Sequence, residues 1–131
     1  MNPADFESAA RRRDARLRWR LLSLLFNARG GDSGGFVSGR LLCDLFGPES
    51  GNADCATDET HLVALLRDLT LKGLLAERDE RTMRRQPFSL DTLRFRVTAA
   101  GIAFATQSAP ADADIDDGRL APGNTPAPGR Q

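Results

Sequence analysis

"HLVALLRDLTLKGLLAERDERTMRRQPFSLDTLRFRVTAAG", residues 61–101, holds a helical pattern that stops at a glycine and continues into two strand-like runs joined by an arginine-rich loop. Leu62, Leu65, Leu66 and Leu69 recur at i, i+3, i+4 and i+7, so all four share one helix face. Thr57 or Asp58 supplies the cap, and Asp58 and Glu59 complement the positive end of the dipole. Gly73 stands where a helix C-terminus takes a left-handed residue, and the spacing predicts a helix over 58–72. Beyond it, "LLAERDE" has the length of a strand, "RRQPFSLD" is turn-like, and "TLRFRV" alternates Leu93, Phe95 and Val97 with Thr92, Arg94 and Arg96. This predicts a hairpin with one face on the core.

Working outward, "DARLRWRLLSLLFNARGG" predicts a first helix that ends at Gly30 or Gly31. Leu17, Leu21, Leu24 and Ala28 form one apolar stripe on it, and Trp19, Leu22 and Phe26 form a second on nearly the opposite side. Two readings stand for the second stripe. In one, Phe36, Val37, Ile102 and Phe104 fold over it. In the other, Trp19, Leu22 and Phe26 form the interface of a homodimer or the seat of a protein partner, because three adjacent large side chains left in water make a patch that monomers avoid.

"FVSGRLLCDLFG" offers Ser38 as an N-cap and spaces Leu41, Leu42, Leu45 and Phe46 for a short buried helix ended by Gly47 and Pro48. The connector "PESGNADCA" is longer than a tight helix-turn-helix needs. After the hairpin, "TAAGIAFATQ" predicts a brief last helix capped by Thr98. The body is thus expected over 14–107, preceded by an N-terminal arm or helix extension over 1–13. Residues 108–131 combine repeated Pro and Gly with four aspartates, which predicts a disordered acidic tail.

The resulting order is helix, helix, helix, strand, strand, helix. With "LLRDLTLKGLLAERDE" and "FRVTAAGIAFA", the chain resembles the winged-helix branch of helix-turn-helix proteins. The first segment is similar to the end of that family's recognition helix and its turn into the wing, and the second to the "LT-x-x-G" that follows the wing. In arrangement it also resembles small winged-helix proteins encoded by Mu-like bacteriophages. The resemblance implies an α+β, mostly helical fold of three helices, a two-stranded wing and a short C-terminal helix. It also implies double-stranded DNA as partner, with the third helix in a major groove and the wing on the backbone.

On the third helix Thr60, Ala64, Arg67 and Leu71 oppose the leucine face, with His61 near the start, so Thr60, His61, Ala64 and Arg67 are the candidate base contacts. That surface is thin, because Asp58, Glu59 and Asp68 would meet a polyanion. Arg81, Arg84, Arg85, Arg94 and Arg96 are the candidate phosphate contacts of the wing; the other reading of Arg81, Arg84 and Arg85 is an exposed loop that they solubilise, balanced locally by Glu77, Asp79 and Glu80. The rival is a non-enzymatic adaptor in phage assembly or packaging, in which Trp19, Leu22, Phe26, Val63 and Leu71 matter more than any arginine.

Composition bounds these readings. A chain of 131 residues, 40% hydrophobic and 27% charged, suits one domain with unstructured ends. No apolar run approaches the roughly 18 residues a membrane helix needs, and "MNPADFESAARRR" is charged where a signal peptide is apolar, so a cytoplasmic protein is expected. The formal net charge is zero, although six arginines lie between positions 11 and 20 and the tail is acidic. The arginine run reads either as the solvated face of an amphipathic helix or as a basic arm on phosphates, and docking on DNA is expected through the wing arginines and this basic N-terminal helix. His61 lacks ligand or catalytic partners in the sequence and reads as a surface residue. Cys43 and Cys55 read as one buried small apolar residue and one loop thiol. No metal, cofactor or enzymatic activity is expected, since "GDSGG" at 31–35 is the only stretch reminiscent of a catalytic motif and the chain lacks the double barrel that motif belongs to.

Overall fold

A computed structural model of the chain describes residues 3–31, 34–47, 57–81 and 89–119. Among these the order is α1 (Pro3–Asn27), β1 (Val37–Ser38), α2 (Gly39–Phe46), α3 (Glu59–Leu71), β2 (Leu75–Asp79), β3 (Leu93–Val97) and α4 (Ala99–Ala105). This is an α+β arrangement of four helices and one small antiparallel sheet in the order β1-β3-β2. Residues that the sequence leaves open as arm or extension belong to α1, which begins at Pro3. No helix among the described residues is long and apolar enough to cross a membrane.

Local chemistry fixes the helix starts. The Ser38 side chain accepts a hydrogen bond from the Leu41 N–H, Asp58 from His61, and Thr98 from Gly101, each satisfying a first-turn donor that no helical carbonyl reaches. Gly73, at φ +79°, turns α3 into β2. Thr98 then locks the last helix onto that turn: its Oγ1 donates to the Gly73 carbonyl at 2.6 Å and its N–H to the Leu74 carbonyl at 3.0 Å. Gly101 lies so close behind that an added Cβ would stand 2.2 Å from the Leu74 oxygen. The Thr-x-x-Gly pattern is therefore a packing joint between α4 and the α3–β2 turn.

The core gathers Leu17, Leu21, Leu22 and Leu25 of α1, Leu42 and Phe46 of α2, the four leucines of α3, Leu75 of β2, and Leu93, Phe95 and Val97 of β3. Alternation on β3 puts Arg94 and Arg96 on the opposite face of the sheet.

Four expectations change. The hairpin gains a third strand, because Val37 and Ser38 pair with Phe95 and Arg94; a two-residue strand is too short to show a period in sequence. Leu41 and Leu45 are 49% and 46% exposed, not buried: α2 rests on its neighbours through Leu42 and Phe46, a contact narrower than its apolar arc. Leu90, within the segment read as turn, is buried, and its carbonyl accepts from the Arg40 N–H at 3.1 Å, so the hairpin loop returns onto α2.

The fourth change concerns the expected disordered tail. Residues 109–119 pack as a strap across α1 and α3, with Ile115 0% exposed in the core. Asp116 N–H donates to the Ala15 carbonyl at 3.0 Å, and Arg18 Nη1 to the Asp114 carbonyl at 3.1 Å. Lys72 Nζ lies 3.0 Å from Asp112 and 2.9 Å from Asp114. A single large apolar residue among aspartates carries too little signal to outweigh the Pro, Gly and Asp composition, yet one buried isoleucine with ion pairs on both sides anchors the segment. Residues 120–131 lie outside the described residues.

Candidate nucleic-acid interface

Because α3 turns Leu62, Leu65, Leu66 and Leu69 inward, Thr60, Ala64, Arg67 and Leu71 are exposed on its other side. Leu71 is 86% exposed, the most open large apolar side chain among the described residues. Arg67 Nε lies 3.4 Å from Glu77 on β2. His61 is half-buried and not a partnerless surface residue: its Nε2 sits 2.7 Å from Asp14 Oδ1, which joins α3 to α1. Asp68 is likewise bound to α1, at 2.9 Å from Arg18 Nη2. Of the four candidate base contacts, Thr60 and Ala64 are exposed without charge, and Arg67 and His61 each face a carboxylate.

The hairpin arginines are also tied. Register places Arg78 opposite Arg94. Glu80 accepts from both, at 3.0 Å from Arg78 and in closer contact with Arg94 Nε. Arg81 Nε lies 2.8 Å from Asp79, and the Arg81 backbone N–H, followed by its positive charge and side-chain hydrogen bond, holds the Asp79 carboxyl below its ordinary value despite some desolvation. The guanidinium groups of Arg78 and Arg96 lie 4.0 and 4.8 Å from the Phe36 ring centroid, so this face of the sheet is a layer of arginines on one aromatic. Arg84 and Arg85 lie outside the described residues. Arg40 bridges α2 to the hairpin return and to α3, at 3.2 Å from Asp91 and 3.5 Å from Glu59.

A cleft of about 390 Å³ opens between the loop after α1 and the start of α4, lined by Arg29, Gly34, Gly35, Arg96, Val97 and Ile102 among others. Arg29 gives its Nη1 to the Phe26 carbonyl at 2.7 Å and its guanidinium lies over the Phe26 ring. The second stripe of α1 is thus divided. Leu22 is wholly buried and offers no surface, Trp19 packs against Phe104 with ring centroids 6.5 Å apart, and Phe26 is half-buried beneath Arg29.

Cys43, half-buried on α2, is a free thiol whose pKa burial pushes up to about 11, with Glu59 adding to the shift. Burial thus favours its protonated form near neutral pH. Cys55 lies outside the described residues.

No family model matches the chain, and no curated protein or solved structure matches it.

Proposed function

We propose that the chain is a small, non-enzymatic winged-helix module that docks on double-stranded DNA in a regulatory role. The observation that supports this best is the order α1, β1, α2, α3, β2, β3, with α3 packed by its leucine face and its outer face turned away from the core beside an arginine-bearing hairpin. Under this reading α3 contributes little base readout, since Thr60 is its one uncharged polar side chain outward and Arg67 is shared with Glu77. Affinity comes from phosphates and tolerates sequence changes.

The test is a titration of fluorescent duplex DNA of unrelated sequences into the full chain at low and moderate salt. The reading expects binding that is nearly equal across sequences and falls steeply as salt rises. Absence of binding at low salt turns the assignment to a protein-interaction adaptor. That second reading is favoured by Leu71, together with the half-exposed Leu41 and Leu45, as apolar side chains without cover among the described residues.

A further inference from the structure

We infer that the outer face of α1, more than the described stem of the hairpin, meets the phosphate backbone of duplex DNA; this rests on the DNA-docking reading above. At about 100° per residue, Arg12, Arg13, Arg16 and Arg20 fall within an arc of roughly 100°. All four are exposed. Arg12, Arg16 and Arg20 follow one another at i, i+4 and i+8, about 6 Å apart along the helix axis. The side chains of Arg12, Arg16 and Arg20 make no hydrogen bond or ion pair among the described residues.

Most other described arginines differ: Arg11, Arg18, Arg40, Arg67, Arg78, Arg81, Arg94 and Arg119 each have a carboxylate within salt-bridge distance, while Arg29 and Arg96 lie over the Phe26 and Phe36 rings. A phosphate that recruits one of the paired arginines must displace that carboxylate or share the guanidinium with it. Arg12, Arg16 and Arg20 carry their charge with no such competitor among the described residues. Glu7 and Asp14, the nearest acidic residues on α1 with described side chains, are turned off the row: Glu7 pairs with Arg11 at 3.6 Å and Asp14 with His61.

The character of the row selects the partner. Between and beyond its arginines lie Ala9, Ser23 and Asn27, small or polar side chains with no aromatic or aliphatic anchor. A protein interface draws its affinity from such anchors at its centre, whereas a phosphate backbone needs only regularly placed donors and close approach. The regular spacing of exposed guanidinium groups without apolar anchors fits a duplex backbone better than an acidic protein patch.

The experiment replaces the row in the full chain as Arg12→Gln, Arg16→Gln and Arg20→Gln, and compares it with Arg94→Gln plus Arg96→Gln on the hairpin. Glutamine keeps helix propensity close to that of arginine, and the row is exposed, so far-UV circular dichroism and Tm are expected to stay as in the parent. Duplex affinity is expected to fall roughly 30-fold or more at about 50 mM salt, with the slope of log K against log salt reduced by about 2 to 3. The hairpin pair is expected to change affinity by less than about three-fold. If the parent binds duplex DNA and the triple change leaves its affinity and salt slope intact, the α1 surface is overturned while DNA docking stands. If the parent binds no duplex at low salt, DNA docking itself fails and the inference falls with it. Binding of poly-glutamate but not duplex by the α1 row would reassign the partner to an acidic protein and overturn the phosphate assignment.

Discussion

Two seams of the molecule are rich in opposite charges and differ in what lies beneath them. Where the 109–119 strap crosses α1 and α3, Arg18, Lys72, Asp68, Asp112 and Asp114 surround Ile115, which has no exposed surface. On the hairpin stem, Arg78 and Arg94 pair with Glu80 on the outer face of the sheet, and Arg81 pairs with Asp79 at the end of β2. Exposed ion pairs contribute little because water already solvates both partners, so the hairpin pairs fix side-chain direction more than stability. The strap pairs act together with a buried side chain, and the segment holds because the isoleucine removes apolar surface from water. Counting ion pairs would rank the two seams alike; the burial beneath them separates them.

The comparison breaks most readily by removing the strap. A chain ending at Ser108 is expected to lose about 3 kcal/mol, mostly from Ile115, and roughly 10–25 °C in Tm. An unchanged thermal unfolding curve would mean that the strap is not part of the fold. Ile115→Ala isolates the anchor and is expected to cost about 2–4 kcal/mol, read as a shift in the urea midpoint at constant m.

Acid sharpens the comparison. For Asp112, burial alone would raise the pKa, but the Asp114 backbone N–H and Lys72 outweigh it and the result lies below the ordinary 3.8. Asp117 follows the same logic through Arg119, whose side chain and backbone N–H both donate to it. A depressed folded pKa means that these groups contribute their full stabilisation above the unfolded value near 3.8 and lose it as pH falls through the lower folded values. The expected result is that the stability difference between the full chain and the chain ending at Ser108 narrows below about pH 4. Trp19, the one tryptophan, packs on Phe104, whose other neighbour is the Arg119 guanidinium at 5.1 Å, and its fluorescence should report the change.

The smallest effects come from single charges. Lys72→Met is expected to cost about 1 kcal/mol, because one cation serves two strap carboxylates and its pKa is raised first by the Asp114 hydrogen bond and then by that of Asp112. Glu80→Gln on the hairpin is expected to stay within about 0.5 kcal/mol. A larger loss for Glu80 than for Lys72 in chemical denaturation would reverse the ranking of the two seams.

Much of the candidate surface was legible. The leucine spacing of 62, 65, 66 and 69 identified the buried face of α3 and therefore its outer face, and alternation in "TLRFRV" put Arg94 and Arg96 opposite the core. The sequence offered Glu77, Asp79 and Glu80 as local balance for the wing arginines but not the pairing, in which they take up Arg67, Arg81 and Arg94, respectively, while Arg12, Arg16 and Arg20 meet no carboxylate among the described residues. Arginine clusters look alike in a sequence; the register of β2 on β3 and the packing of α3 against β2 decide which have neighbours of opposite charge.

Features that depend on a few adjacent residues are set locally. Ser38, Asp58 and Thr98 cap helices because each side chain reaches an N–H three positions on, and Gly73 turns the chain because it pays no Cβ penalty at positive φ. Features that depend on partners far along the chain are set by the assembled fold. Ile115 becomes core and Leu41 and Leu45 do not, Val37 and Ser38 become a strand, and His61 finds Asp14, because burial, pairing and charge balance are properties of the neighbours that folding brings together.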